Sequence, residues 1–173
     1  GLMQHNEMMN MFRNMSLLLQ NSHFITHNSQ PKMANTVEIG GIHCRKGAPL
    51  PQDLNDFLDK ASSGAVYVSF GSVIKSSSMS KERLNVFLET FRRIKYPVIW
   101  KWDSDTIPNL PPNVLLKKWL PQQDLLAHPN LKVFVTHGGL FSLQEALFHN
   151  TPIVGIPLGT DQKPNLMRAE RHG

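Results

Sequence analysis

Residues 119–165 read WLPQQDLLAHPNLKVFVTHGGLFSLQEALFHNTPIVGIPLGTDQKPN, and they restrict the fold more than any other part of the chain. Two short apolar runs, 133–135 and 153–156, have the length and composition of buried strands. The first ends in His137-Gly138-Gly139, and Leu140, Leu143, Ala146 and Leu147 follow at helical spacing. Strand, glycine turn, helix, strand, turn, helix is the order of an α/β nucleotide-binding sheet. Ligands in such sheets sit beyond the carboxyl ends of the strands. Three polar clusters fall at that edge: Trp119 with Gln122, His137 to Glu145, and Asp161 to Asn165.

Each cluster has a definite chemistry. Gly138 and Gly139 carry no Cβ, so backbone there can approach a ligand closely. The helix that follows offers unpaired N–H groups and a partial positive charge, a seat for a diphosphate. Ser142 in its first turn adds a hydroxyl, and His137 a ring donor. Glu145, acceptor-only when ionised, suits a pair of ribose hydroxyls. Trp119 reads either as core or as a flat platform for a nucleobase, with Gln122 offering an amide to the base edge. Asp161, Gln162 and Asn165 at a helix start serve as caps or as partners for sugar hydroxyls, and both roles can hold together.

The remaining chain supplies more strands. Residues 65–70 form a strand-like run ending in Gly71-Ser72, which reads either as a plain turn or, beside the other clusters, with Ser72 as a second phosphate donor; 98–100 and 114–116 are further strands. Helices are expected over 53–60, with Leu54, Phe57 and Leu58 inward, over 121–128, and from Ser80 through Lys95. The last has an apolar stripe of Leu84, Phe87, Leu88, Phe91 and Ile94. Residues 21–24 read as a short strand. Five of the eight methionines lie in residues 1–20, consistent with a helix filling irregular core space. The breakers Pro31, Gly40, Gly41, Gly47, Pro49 and Pro51 mark a linker over 31–53.

Composition removes several functions. The net charge is +5, but the excess is scattered between Lys75 and Lys118, so no nucleic acid is expected as a partner. Cys44 is the single cysteine, so no internal disulfide forms. Glu145 and His149 share a helix face without a His-Glu-x-x-His run, and no metal is expected. Gly155 and Gly159 do not make a Gly-x-Gly-x-x-Gly turn, which argues against NAD. No run approaches the roughly 18 apolar residues of a membrane span.

The set Trp119-Leu120-Pro121-Gln122, His137-Gly138-Gly139, Ser142, Glu145, Asp161-Gln162 and Asn165 resembles the signature of the animal UDP-glucuronosyl and UDP-glucosyl transferases. Weaker likeness extends to residues 21–24, 38–43 and 68–72, and is most like arthropod members. The resemblance implies a doubly wound, Rossmann-like parallel sheet, the C-terminal half of a two-domain GT-B glycosyltransferase. Residues 1–30 would be the tail of an N-terminal acceptor domain, 31–53 the linker, and 54–173 a UDP-sugar-binding domain incomplete at its C-terminus. The donor site implied is Ser72, Trp119, Leu120, Gln122, His137, Gly138, Gly139, Ser142, Glu145, Asp161, Gln162 and Asn165, with Asp161 and Gln162 gripping the sugar.

The implied reaction is inverting transfer of glucose or glucuronic acid to a hydroxyl of a small lipophilic acceptor, without metal or cofactor. The catalytic base belongs to the N-terminal half, so no catalytic residue is assigned here. The full-length protein would sit at the endoplasmic reticulum membrane, facing the lumen, through an anchor outside this chain, and serve detoxification. Two departures stand out: Phe141 replaces an asparagine common in the family, and Lys163-Pro164 inverts a common proline placement. A non-catalytic nucleotide-sugar binding module, a sugar-nucleotide epimerase of similar architecture and an interaction protein with a dead donor site are the alternatives.

Overall fold

The computed structural model describes residues 9–11, 13–23, 26–27, 30–72 and 76–172. Two small strands come first, β1 (Leu18–Gln20) and β2 (Thr36–Glu38), paired in parallel. Helix α1 (Gln52–Asp59) follows, then β3 (Ala65–Ser69), a 3-10 turn over Ser76–Ser78 and α2 (Lys81–Arg93). Next come β4 (Val98–Lys101), β5 (Val114–Lys117), α3 (Gln122–Leu126) and β6 (Leu131–Thr136). The described chain ends with α4 (Leu140–Phe148), β7 (Ile153–Gly155) and α5 (Gln162–His172).

β3 to β7 form one parallel sheet in the order β5-β4-β3-β6-β7. Counting only these strands, the order is 3-2-1-4-5, the doubly wound arrangement. Its reversal point lies between β3 and β6, where such sheets open their ligand crevice. The turns after these two strands are Gly71-Ser72 and His137-Gly138-Gly139, so the topology brings both phosphate-donor candidates to one place.

The period-2 alternation of strand side chains divides the core in two. Tyr67, Ile99 and Phe134 pack with Leu54, Leu58, Leu125 and Ala146 beneath α1, α3 and α4. Val68, Val98 and Trp100 face the other way and pack with Leu88 and Phe91 of α2. Both faces of the central strands are covered, so they read as continuous apolar runs rather than alternating ones. Ser80 caps α2 by accepting the Arg83 N–H at 3.4 Å.

The sequence expectations fail in several local places. The strand expected over 21–24 lies at Leu18–Gln20, where it pairs with Thr36–Glu38; Phe24 falls outside the described residues. Ser22 is instead buried, its hydroxyl donating to Glu38 at 2.7 Å. Met9 and Met11 are exposed, not core. The other three methionine positions include Met3 and Met8, outside the described residues, and Met15. Helix α2 stops at Arg93 because Ile94 turns to an extended conformation, well before Pro97. Helix α3 is a short five-residue piece, because Ala127 and His128 already turn toward β6. The run 153–156 is not buried: β7 is the sheet edge, Val154 is exposed, and Ile156 lies past the strand. Leu147 points outward from α4, and Phe57 is only half-buried. Val154 and Leu147 are apolar as expected, but no neighbour among the described residues covers them.

Candidate nucleotide-sugar site

An open cleft of ≈ 460 Å³ lies at the carboxyl edge of β3, β4 and β6. Gly71, Ser72, Trp119, Gln122, Ser142 and Glu145 all line it. Trp119 stands at its rim, 75% exposed, with the Lys101 ammonium 4.8 Å from the ring centroid. An indole this exposed contributes little to the core, and a cation above the ring holds it electrostatically. Burial holds the Lys101 ammonium below its ordinary pKa. Leu120, by contrast, is buried in the core below α3, although it too borders the cleft.

Gln122 opens α3 and is held on three sides. Its Oε1 accepts from the Tyr67 hydroxyl at 3.0 Å. Its Nε2 donates to Glu145 Oε2 at 2.6 Å and to Ser142 Oγ at 3.1 Å. The amide expected to meet a base edge is therefore committed to groups expected to meet ribose and phosphate. Ser142 and Glu145 lie three residues apart on α4, one helical turn, which is why both face Gln122.

The turn between β6 and α4 is built around one imidazole. A Cβ at Gly139 would lie 2.8 Å from His137 Nε2, and one at Gly71 would lie 3.0 Å from His137 Cε1. The ring thus sits between the two loops that end β3 and β6. Gly138 has φ +88°, and a Cβ there would stand 2.5 Å from Leu166 Cγ on α5. Close approach was expected at these glycines, and it is satisfied here by the protein's own side chains. His137 Nδ1 is buried without a hydrogen-bond partner. Burial pushes the ring's pKa down, Asp161 opposes this, and Lys101 adds to it, which favours the neutral ring. Gly139 caps α4 with no side chain, leaving the helix N-terminus uncapped by the protein.

The third cluster braces this turn from behind. Asn165 is buried and donates to the Gly138 carbonyl at 3.2 Å and to Asp161 Oδ2 at 2.8 Å. Gln162 Oε1 accepts from the N–H groups of Leu158 and Gly159 at 2.7 and 3.1 Å, fixing the loop before α5. Asp161 is exposed, and hydrogen bonds from Thr160 and Asn165 hold its carboxyl below the usual range. Of the three, Asp161 is the one open to solvent; Gln162 and Asn165 are largely used on backbone.

Sequence reasoning missed two groups of residues here. His43, from the linker, packs edge-on against Phe141 with ring centroids 4.8 Å apart, and its Nε2 lies 3.9 Å from Glu145 Oε1. Arg45 makes a two-pronged pair with Asp124 at 2.6 and 2.9 Å, while Asp124 also accepts the Ala48 N–H at 2.7 Å. Gln123 accepts the Arg45 N–H and donates to the His43 carbonyl. Segment 43–48 is thereby fastened to α3. A buried aspartate in an amphipathic helix was the available signal, since such a group needs a cationic partner. Tyr67 was the second omission, read only as part of an apolar strand.

Among the described residues no group of three or more His, Cys, Asp or Glu side chains is placed to hold a metal ion. No helix among them is long and apolar enough to cross a membrane.

The doubly wound parallel sheet, with an indole, a carboxylate and an uncapped helix N-terminus at its reversal point, defines a Rossmann-like α/β fold. The family described as UDP-glucoronosyl and UDP-glucosyl transferase matches residues 2–173. The chain belongs to that family. A UDP-glycosyltransferase of Dactylopius coccus is 41% identical over 157 residues, covering 91% of this chain and 31% of its own length. A human UDP-glucuronosyltransferase is 39% identical over 144 residues, covering 83% and 27%. The solved structure of a UDP-glucosyltransferase from Polygonum tinctorium superposes with a TM-score of 0.72 at 23% identity, over 91% of this chain and 38% of that one. The chain spans about a third of the length of the relatives it matches.

Proposed function

We propose that this chain is the donor-binding part of a UDP-glycosyltransferase, with residues 54–173 as the donor domain, 31–53 as the linker and 1–30 as the tail of an acceptor domain. The observation that carries this reading is the cleft at the β3/β6 reversal point. There an exposed Trp119, the Ser142–Gln122–Glu145 network and the turns at Gly71 and His137 meet. Uracil stacks on Trp119, the ribose hydroxyls meet Glu145, and the diphosphate meets Ser72, Ser142, His137 and the N-terminus of α4. Asp161 faces the sugar.

The reaction proposed is transfer of glucose or glucuronic acid to a hydroxyl of a small lipophilic acceptor, with inversion. A base outside this chain takes the acceptor proton, the acceptor oxygen bonds to the sugar's anomeric carbon, and the bond to UDP breaks. Its electron pair goes to the β-phosphate oxygen. Donors fixed in advance around that oxygen lower the barrier, commonly the largest single contribution in such chemistry. A neutral His137 donates to it, and the α4 dipole favours its charge without a metal or cofactor.

The test is calorimetry with UDP and UDP-glucose on wild type, His137→Ala and Asp161→Ala, together with a transfer assay using UDP-glucose, UDP-glucuronate and a phenol. His137→Ala is expected to weaken both ligands. Asp161→Ala is expected to weaken UDP-glucose while leaving UDP nearly unchanged. Absence of UDP binding by the wild type would overturn the reading. Binding without transfer by the whole protein would favour a non-catalytic nucleotide-sugar module.

A further inference from the structure

We infer that Tyr67 is a positioning residue for this site: its hydroxyl fixes the Gln122 side chain and, through it, the Glu145 carboxylate. The inference rests on the donor-site reading above. Tyr67 lies on β3, fully buried, its ring stacked on Phe134 at 4.8 Å and 7°. The ring belongs to the core, while the hydroxyl reaches the floor of the cleft.

The direction of the hydrogen bonds makes this more than packing. Tyr67 donates to Gln122 Oε1 at 3.0 Å, which leaves the amide NH₂ end for Glu145 Oε2 at 2.6 Å and Ser142 Oγ at 3.1 Å. Turning the amide over would set its oxygen against an acceptor-only carboxylate. Tyr67 therefore selects the one orientation that holds Glu145. Burial pushes the phenol's pKa well up, a hydrogen bond with Ser69 opposes this, and Glu145 adds to it. The hydroxyl accordingly remains a donor at physiological pH. Glu145 Oε1 lies 3.9 Å from His43 Nε2, beyond hydrogen-bonding distance, and keeps its lone pairs for ligand hydroxyls. A carboxylate fixed before binding loses less freedom when the ligand arrives.

Tyr67→Phe keeps the ring and its stack and removes only the donor. Calorimetry of the protein with UDP and 2′-deoxy-UDP is expected to show UDP affinity falling about 3–10-fold, the scale of one hydrogen bond. The preference for UDP over the deoxy analogue is expected to shrink with it. A merely structural role would not alter that preference. In a Gln122→Ala background, Tyr67→Phe is expected to have no further effect. A ligand-free readout accompanies these: the Gln122 side-chain amide protons, followed by ¹⁵N NMR, exchange slowly in wild type and faster in Tyr67→Phe. A folded Tyr67→Phe protein with wild-type affinity, ribose preference and amide exchange would overturn the inference, as would additive effects in the Gln122→Ala background. If the wild type bound no UDP, the donor-site reading would fail, and the amide exchange would still decide whether Tyr67 holds Gln122.

Discussion

Single side chains in this site separate into those left open to solvent and those that hold the protein. Trp119 is 75% exposed, so it contributes little to folding and much to any stacked base. Trp119→Ala is expected to leave the thermal midpoint nearly unchanged and to weaken UDP binding by roughly 1–3 kcal/mol, measured by calorimetry. Asp124 is the opposite case. It is buried, and its ties to Arg45 and to the Ala48 N–H fasten the linker to α3. Asp124→Asn is expected to cost about 1–3 kcal/mol in chemical denaturation and to speed proteolysis near residues 45–48. The hydrogen bonds from Arg45, with the Ala48 N–H and the guanidinium charge, hold its carboxyl below the usual carboxylate range. Its contribution to stability is therefore fully present above the ordinary aspartate pKa and is lost as pH falls through the depressed one. Wild type is expected to lose more stability than Asp124→Asn on titration below about pH 4.

At the level of elements, the turn from β6 into α4 is tightly specified backbone. Gly138 carries φ +88°, and Leu166 of α5 occupies the space a side chain would need. Gly138→Ala is expected to destabilise by more than about 1 kcal/mol, because the left-handed backbone and the clash add. It is also expected to weaken UDP binding by displacing the helix N-terminus. Denaturation and calorimetry on the same variant check both. Gly139→Ala pushes on the His137 ring instead, so a milder loss of stability with a comparable loss of UDP affinity is expected. The two variants thus distinguish what the turn does for the fold from what it does for the ring.

At the level of the molecule, the linker and both turns meet at the β3/β6 crevice and α5 braces the second turn, so a ligand bound there is expected to couple to stability. UDP at 100 times its dissociation constant is expected to stabilise the protein by about 2.7 kcal/mol, a rise in thermal midpoint on the order of 5–10 °C. No shift at saturating UDP, by scanning calorimetry, would count against the proposed site. The doubly wound sheet was legible in the sequence. The runs 98–100, 114–116 and 133–135 are apolar throughout, 65–70 is broken only by Ser69, and all but 98–100 are followed by a break and a helical element. The edge was not legible, because Ile153-Val154 has the composition of an inner strand and only the neighbours decide whether it is covered. Nor was strand β1, since it is too short to show a period and only the pairing partner at 36–38 places it at 18–20 rather than 21–24.

The sequence by itself determined the class of sheet, the positions of its two glycine turns, and the residue types that nucleotide chemistry requires. Those follow from local rules: strand composition, helix period, and the freedom of glycine to take φ +88° at Gly138. Only the tertiary structure decided how those residues divide their hydrogen bonds. Gln122 and Glu145 are 23 positions apart, Tyr67 and Gln122 are 55 apart, and Arg45 and Asp124 are 79 apart. Nothing local links such pairs; the sheet order β5-β4-β3-β6-β7 sets β3 beside β6, with α3 and α4 over one face, and so brings them together. Whether an amide faces solvent, a base or a buried tyrosine is fixed by that juxtaposition, because a hydrogen bond exists only where folding has placed a donor within about 3 Å of an acceptor.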